Sequence, residues 1–335
     1  MIETKHHLEF KKKINIMRNV LLAGIFLTLI KFLAYHLTHS NAVLTDALES
    51  IINIIAAAFG LFTLVYASKP KDENHPYGHG KMEFFAVGFE GALIVFAGCG
   101  MIYKAMLSFY SESKINQLDI GIYLTASTAF LNFLMGRYMV RQGNKMHSST
   151  LIADGQHLIS DTVSSIVLLA GLFLMLITGK SIIDPILTIG LGIYILFVGY
   201  RLLRNSMAGL MDETDFEKVL ELVKVLNEER KVEWIDIHNL RVVKYGSSLH
   251  VDLHLTLPWY ENLLTTHDHV KSFENLINKH FENRIEFFIH ADPCLSDSCS
   301  ICSVIDCKER KHPFKEKINW DLGILMKNSP HKLNS

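Results

Sequence analysis

Over the first 210 or so residues, long apolar runs alternate with short polar connections. Six runs lie near 16–37, 43–66, 84–108, 118–138, 151–178 and 183–204. Each approaches the ~20 residues that an α-helix needs to cross hydrocarbon. The pattern predicts an α-helical membrane protein with six transmembrane helices. No small-residue cleavage site precedes a short apolar run at the start, so the first segment reads as a retained span. From Asp212 the pattern changes. DFEKVLELVKVLNEERKV has a helical period, and WIDIHNLRVVKYG and SLHVDLHLTLPW alternate like paired strands around Gly246. HDHVKSFENLINKHFEN reads as a second helix and RIEFFIHADP as a third strand, giving an α+β domain of order αββαβ. The expected division is an N-terminal segment 1–15, a membrane domain 16–208, a soluble domain 209–293 and an extension 294–335. The polar tail after Asn319 is assigned no structure.

Charge adds an orientation. Lys5, Lys11, Lys12, Lys13 and Arg18, then Lys69, Lys71 and Lys81, then Arg137, Arg141 and Lys145, and finally Arg201 and Arg204 fall on one side. The opposite loops offer nothing between His36 and Asn41, then Lys114 and Lys180. By the positive-inside rule both termini are cytoplasmic. A bacterial inner membrane is expected because no organelle-targeting segment is visible. A net charge of −1 gives no argument for nucleic-acid binding. The soluble part has no G-x-S-x-G, phosphate loop or paired catalytic acids, so an enzyme is not expected.

The chemistry centres on LIADGQHLISDTVSSIVLLAG, residues 151–171. Asp154, His157 and Asp161 share one helical face there. Ionisable groups at membrane depth are costly and mark ion routes, and an imidazole one turn from a carboxylate is half of a transition-metal site. In the second span Asp46, Glu49, Ser50 and Asn53 fall at offsets 0, 3, 4 and 7, again one stripe. Facing each other, the two stripes would complete a four-coordinate site; otherwise they form a polar seam between helices. Lys31 is expected to snorkel or to pair with a carboxylate. In the loop SKPKDENHPYGHGKME, Asp72, His75 and His79 form a candidate zinc site. In the third span Glu90 stands alone, as a neutral hydrogen-bonding group or a step in a proton path, and Gly88, Gly91, Gly98 and Gly100 predict close helix packing.

The stretches SNAVLTDALES, HPYGHGKMEFFA and ADGQHLISD resemble those of the cation diffusion facilitators, membrane proteins that export divalent metals by proton antiport. His157 and Asp161 fall on that family's H-x-x-x-D motif. The resemblance extends to about residue 293. It implies that Asp46, His157 and Asp161 belong to a transport site, that the soluble domain is cytoplasmic and ferredoxin-like, and that it pairs as a homodimer. It also aligns His238, His254, His269, His290 and Asp292 with metal-binding positions of some members. This chain departs where Ser50 stands in place of the family's second acid. The fourth ligand is therefore left among Ser50, Glu49, Asn53 and water, and the cation among Zn²⁺, Fe²⁺, Mn²⁺ and Co²⁺, with Zn²⁺ expected first.

A second departure is PCLSDSCSICSVIDCKERKHPF. Cys294, Cys299, Cys302 and Cys307 are spaced x4, x2, x4, so four of the five cysteines fall within fourteen residues. In a reducing compartment disulfides are disfavoured, and four thiolates suit a tetrahedral structural Zn²⁺, with an iron–sulfur cluster as the alternative. The expected function is export of divalent metal by proton antiport and alternating access. The competing reading is a membrane-anchored metal or redox sensor working through the cysteines.

Overall fold

A computed structural model describes residues 2–38, 41–108, 118–178, 182–281 and 284–333. Within these, the side chains at 2–7, 34, 37–38, 41–46, 48–49, 108, 118–122, 124–125, 168, 172, 175–176 and 184 are outside the description, as are Lys114 and Lys180 altogether. The chain divides into two units, Met1–Met211 and Asp212–Ser335.

The first unit is built of α1 (Ile2–Thr38), α2 (Asn41–Ala67), α3 (Met82–Ser108), α4 (Leu118–Lys145), α5 (Ser149–Thr178) and α6 (Ile183–Leu210). Among the described residues, four stretches are long and apolar enough to cross a membrane: Leu8–Leu33, Ser50–Ala67, Met82–Leu107 and Pro185–Leu210. The stretches described in α4 and α5 are not among the four. Phe26, Phe96, Tyr123 and Phe173 stand exposed on the helices, a surface that hydrocarbon solvates better than water does.

Backbone contact between helices depends on glycine. A Cβ added to Gly91 of α3 would stand 3.0 Å from the Gly199 carbonyl oxygen of α6, and one on Gly199 would stand 3.0 Å from that of Gly91. Gly136 of α4 and Gly155 of α5 are related in the same way, at 2.7 and 2.9 Å. Such approaches supply dispersion energy where no hydrophobic drive acts between helices. Gly88 and Gly98 also face α6, but Gly100 faces open space, so the expected packing stripe is shorter than its sequence.

One ion pair ties the helix ends together. Lys13 Nζ of α1 lies 3.1 Å from Glu83 Oε1 of α3, both side chains fully buried. The other oxygen, Glu83 Oε2, accepts from the Ser148 hydroxyl (2.6 Å) and from the Thr150 backbone N–H (3.4 Å), which brings in the start of α5.

The second unit has α7 (Phe216–Glu228), β1 (Asp236–Tyr245), β2 (Ser248–Leu257), α8 (Leu263–His280) and β3 (Ile285–Pro293). The helices start on side-chain caps, Asp215 accepting from Lys218 N–H and Asn262 from Thr265 N–H. The sheet order is β1-β2-β3. The β1–β2 hairpin turns at Gly246, where φ is +63°, and α8 is the crossover that makes β2 and β3 parallel. Strand alternation sends Leu249, Val251, Leu253 and Leu255 to one face, where they share a core with Leu222, Leu226, Phe273 and Ile277.

The tail is ordered rather than structureless. Trp320 and Leu325 are buried in that same core, and α9 (Leu322–Leu325) starts on an Asp321 cap. The Arg230 guanidinium lies 3.7 Å from the Trp320 ring centroid and donates to the carbonyls of Trp234 and Ile318. One tryptophan and a four-residue apolar run are too short to register as periodicity.

Replacing Glu83 with Ala leaves a buried ammonium without its partner. The expected loss is about 3–5 kcal/mol, read as a lower thermal midpoint of the detergent-solubilised protein. The double variant Lys13→Met/Glu83→Leu is expected to recover most of it.

Candidate metal-binding sites

In the helical unit, polar side chains from four helices gather around His157 of α5. Its Nδ1 is in contact with Glu90 Oε1 of α3, and its Nε2 lies 3.5 Å from Asp161 Oδ1, one turn further along α5. Asn53 Nδ2 of α2 donates to Asp161 Oδ2 at 2.8 Å. Lys31 Nζ of α1, buried rather than snorkelling, donates to Ser50 Oγ of α2 at 2.7 Å. Asp154 is buried, and its Oδ2 has no hydrogen-bond partner among the described residues. An orphaned carboxylate oxygen in an apolar bundle is unfavourable unless something cationic completes it. A cavity of about 50 Å³ lies here, lined among others by Lys31, Ser50, Asn53, Asp154 and His157, with room for a small ion or a water.

Of the expected transport residues, Ser50, Asn53, Asp154, His157 and Asp161 are therefore brought together. Asp46 and Glu49 lie in α2, but their side chains fall outside the described residues. Glu90 is the residue that the sequence pattern did not place. Periodicity relates positions within one helix, and nothing in it links α3 to α5 across 67 residues.

The α2–α3 connection holds the second group. Asp72 Oδ1 accepts from the His75 backbone N–H (2.7 Å) and lies 2.9 Å from His75 Nδ1, while His79 Nε2 lies 3.4 Å from Asp72 Oδ2. One ligand atom from each of Asp72, His75 and His79 falls within 4.8 Å of the others. The hydrogen bond from the His75 side chain holds the Asp72 carboxyl below its usual range. His79 is buried edge-on against Tyr66, and its Nδ1 has no hydrogen-bond partner among the described residues. Gly78, at φ +89°, makes the turn between the two histidines.

In the soluble unit the sheet register decides the site. His238 pairs with His254 across β1–β2, and His254 with His290 across β2–β3. The three imidazoles form a row, with centroids 5.0 and 4.8 Å apart. Asp292, two positions on and so on the same face, reaches all three: its Oδ2 is 3.3 Å from His238 Nε2 and 2.9 Å from His254 Nδ1, and its Oδ1 is 3.2 Å from His290 Nε2. Ligand atoms of His238, His254 and Asp292 lie within 4.8 Å of one another. Burial pushes the His238 imidazole down, which keeps it neutral, the form that binds metal. His269 is the exception among the expected ligands. It sits on α8 and its Nε2 pairs with Glu261 Oε2 at 3.1 Å.

All four clustered cysteines are free thiols, and all four line one cleft of about 430 Å³ beside Trp259 and Arg310.

Two family comparisons cover most of the chain. The cation efflux transmembrane domain matches residues 17–211, and the cytoplasmic domain of cation efflux proteins matches residues 212–294. The chain belongs to the cation diffusion facilitator family. A cation diffusion facilitator is an integral membrane transporter of divalent metal cations and not an enzyme. Curated relatives include an uncharacterized transporter of Synechocystis sp., 31% identical over 248 residues (74% of this chain, 80% of the relative). The manganese efflux system protein MneP of Bacillus subtilis is 26% identical over 261 residues, 76% of this chain and 87% of its own. The cation-efflux pump FieF of Yersinia pestis is 25% identical over 280 residues, 82% and 90% respectively. The family's cytoplasmic domain stops at residue 294, so Cys299, Cys302, Cys307 and the buried Trp320 lie beyond it.

His254→Ala and Asp292→Asn are each expected to weaken Zn²⁺ binding by this facilitator's soluble site about tenfold or more. His269→Ala is expected to leave it unchanged. Calorimetric titration of the purified protein, with the α2–α3 loop site removed in the background, reads the difference.

Proposed function

We propose that this transporter exports divalent transition-metal cations from the cytoplasm in exchange for protons, Zn²⁺ in the first place and Fe²⁺, Mn²⁺ or Co²⁺ as further cargo. The observation that carries the reading is the meeting of Glu90, Asn53 and Asp161 at His157, beside an Asp154 oxygen without a partner. In this reading all six helices cross the membrane, α4 and α5 despite their polar residues because those of α5 face the other helices. Both termini are cytoplasmic, the membrane is a bacterial inner membrane, and the ferredoxin-like domains of two chains pair as a homodimer. The names of the relatives from Bacillus and Yersinia support efflux as the direction.

Asp46, His157 and Asp161 hold the cation. Glu90 is the fourth ligand, because the Ser50 hydroxyl already accepts from Lys31. This moves one anionic ligand from the second helix to the third and keeps the site's charge. Asp72, His75 and His79 in the α2–α3 connection form the cytoplasmic entry. Ligands must be deprotonated to bind metal, so each cation bound displaces protons, and protonation on the acidic outer face ejects the ion as the helices alternate their access. Metal bound by His238, His254 and Asp292 tightens the soluble dimer and biases the membrane unit through linkage.

Reconstituted into liposomes under a pH gradient, the protein is expected to move Zn²⁺ at a rate set by the gradient. Asp161→Ala abolishes the flux and Glu90→Gln lowers it about 10- to 100-fold. Running Fe²⁺, Mn²⁺ and Co²⁺ in parallel ranks the cargo. Flux indifferent to the gradient, or none from folded protein, would favour a membrane-anchored metal or redox sensor working through the cysteines.

A further inference from the structure

The cysteine cleft lies outside the transport site, the loop site and the histidine row, and the extension is organised around it. Cys294 stands just past β3 (Ile285–Pro293), and its backbone N–H donates to the Leu257 carbonyl at the end of β2. A short 3₁₀ turn, Ser296–Ser300, then carries Cys299, and Ile301 and Cys302 are buried against Ile235. Arg310 donates to three carbonyls, those of Cys299 (2.9 Å), Cys302 (3.0 Å) and Val304 (2.6 Å). The Lys311 backbone N–H points at the Cys299 sulfur at 3.4 Å. The segment between Cys299 and Cys302 is thus held in a tight loop by Arg310, which lines the cleft together with the four cysteines.

We propose that Cys294, Cys299, Cys302 and Cys307 form a tetrathiolate site for one Zn²⁺ that is structural rather than transported. Four sulfur ligands in x4, x2, x4 spacing are the donor set and coordination number that Zn²⁺ takes in closed sites. The soft thiolates also distinguish this site from the imidazole and carboxylate groups that serve the cargo. Four thiolates around Zn²⁺ carry a net charge of −2, and Arg310 and Lys311, both lining the cleft, stand where that charge is balanced. The N–H of Lys311 is the kind of outer-shell donor that stabilises a bound thiolate.

No three of the sulfurs yet lie within 4.8 Å of one another, so binding contracts the cleft. That contraction clamps the extension onto the end of β3. Cys294 and Val304 pack against the small cluster of Ile235, Ile301 and Cys302. The ion adds to the order that this cluster and Arg310 supply, in the manner of small metallodomains.

The test uses the full-length protein purified in detergent, stripped of loosely held metal with EDTA. One equivalent of zinc per chain is expected to remain, to be released by an organomercurial reagent, and to be counted with a chromogenic chelator. Cys299→Ser/Cys302→Ser is expected to lose that equivalent while gradient-driven Zn²⁺ flux persists. A second measurement needs no variant: native protein grown with Co²⁺ in place of Zn²⁺ is expected to show thiolate charge-transfer and intense tetrahedral d–d bands. Brown protein containing iron and acid-labile sulfide would overturn zinc in favour of an iron–sulfur cluster. In a Cys99→Ser background, four thiols reacting at once with Ellman's reagent, with no retained metal, would overturn the site altogether.

Discussion

A charge inside an apolar helix bundle has to be matched, because hydrocarbon offers it no solvation and an uncompensated ion costs several kcal/mol. The helical unit obeys this constraint at two levels. At one, Lys13 and Glu83 neutralise each other, and the remaining oxygen of Glu83 takes its bonds from Ser148 and Thr150. At the other, Lys31 is held by Ser50, and His157 is held between Glu90 and Asp161. The first cluster is complete and acts as a structural tie. The second leaves the Asp154 oxygen open among the described residues, an opening that the proposed transport site would fill. The glycine contacts of α3 with α6 and of α4 with α5 set the close approach that lets such short side chains meet at all.

In the soluble unit the organising constraint is strand register. A strand changes face at every residue, so a shift of one position in any strand would send its histidine to the core side. The observed pairing of His238 with His254 and of His254 with His290 puts three imidazoles in one row over Asp292. The hydrophobic positions on the opposite face enforce that register, since Leu249, Val251, Leu253 and Leu255 reach the core only in this alignment. The candidate cation site is in this sense a by-product of core packing. His269, on a helix and free of that constraint, goes elsewhere.

The extension shows how a domain acquires order beyond its inherited limits. Trp320 contributes a large aromatic surface to a core otherwise made by the αββαβ elements, and burial of such a ring is worth several kcal/mol. Asn227 exchanges two hydrogen bonds with the backbone of Trp320, and Asp236 receives both the N–H and the ring of His331. Between these anchors and β3 lies the cysteine loop, fixed by Arg310.

Much of this was legible in the sequence. The apolar runs, the αββαβ order, the Asp154/His157/Asp161 face and the Asp72/His75/His79 cluster are all local, and local periods of 3.6 and 2 residues are written along the chain. Three stretches resembling a known family carried the functional class. Contact across elements was not legible. Nothing in the spacing ties Glu90 to His157, Lys31 to Ser50 or Trp320 to the core, and nothing removes His269 from the row of histidines. The sequence by itself determined which residues share a face of one helix or strand, because that depends only on backbone geometry. The tertiary structure alone decided which faces meet, because packing, register and charge matching act between segments that lie far apart along the chain.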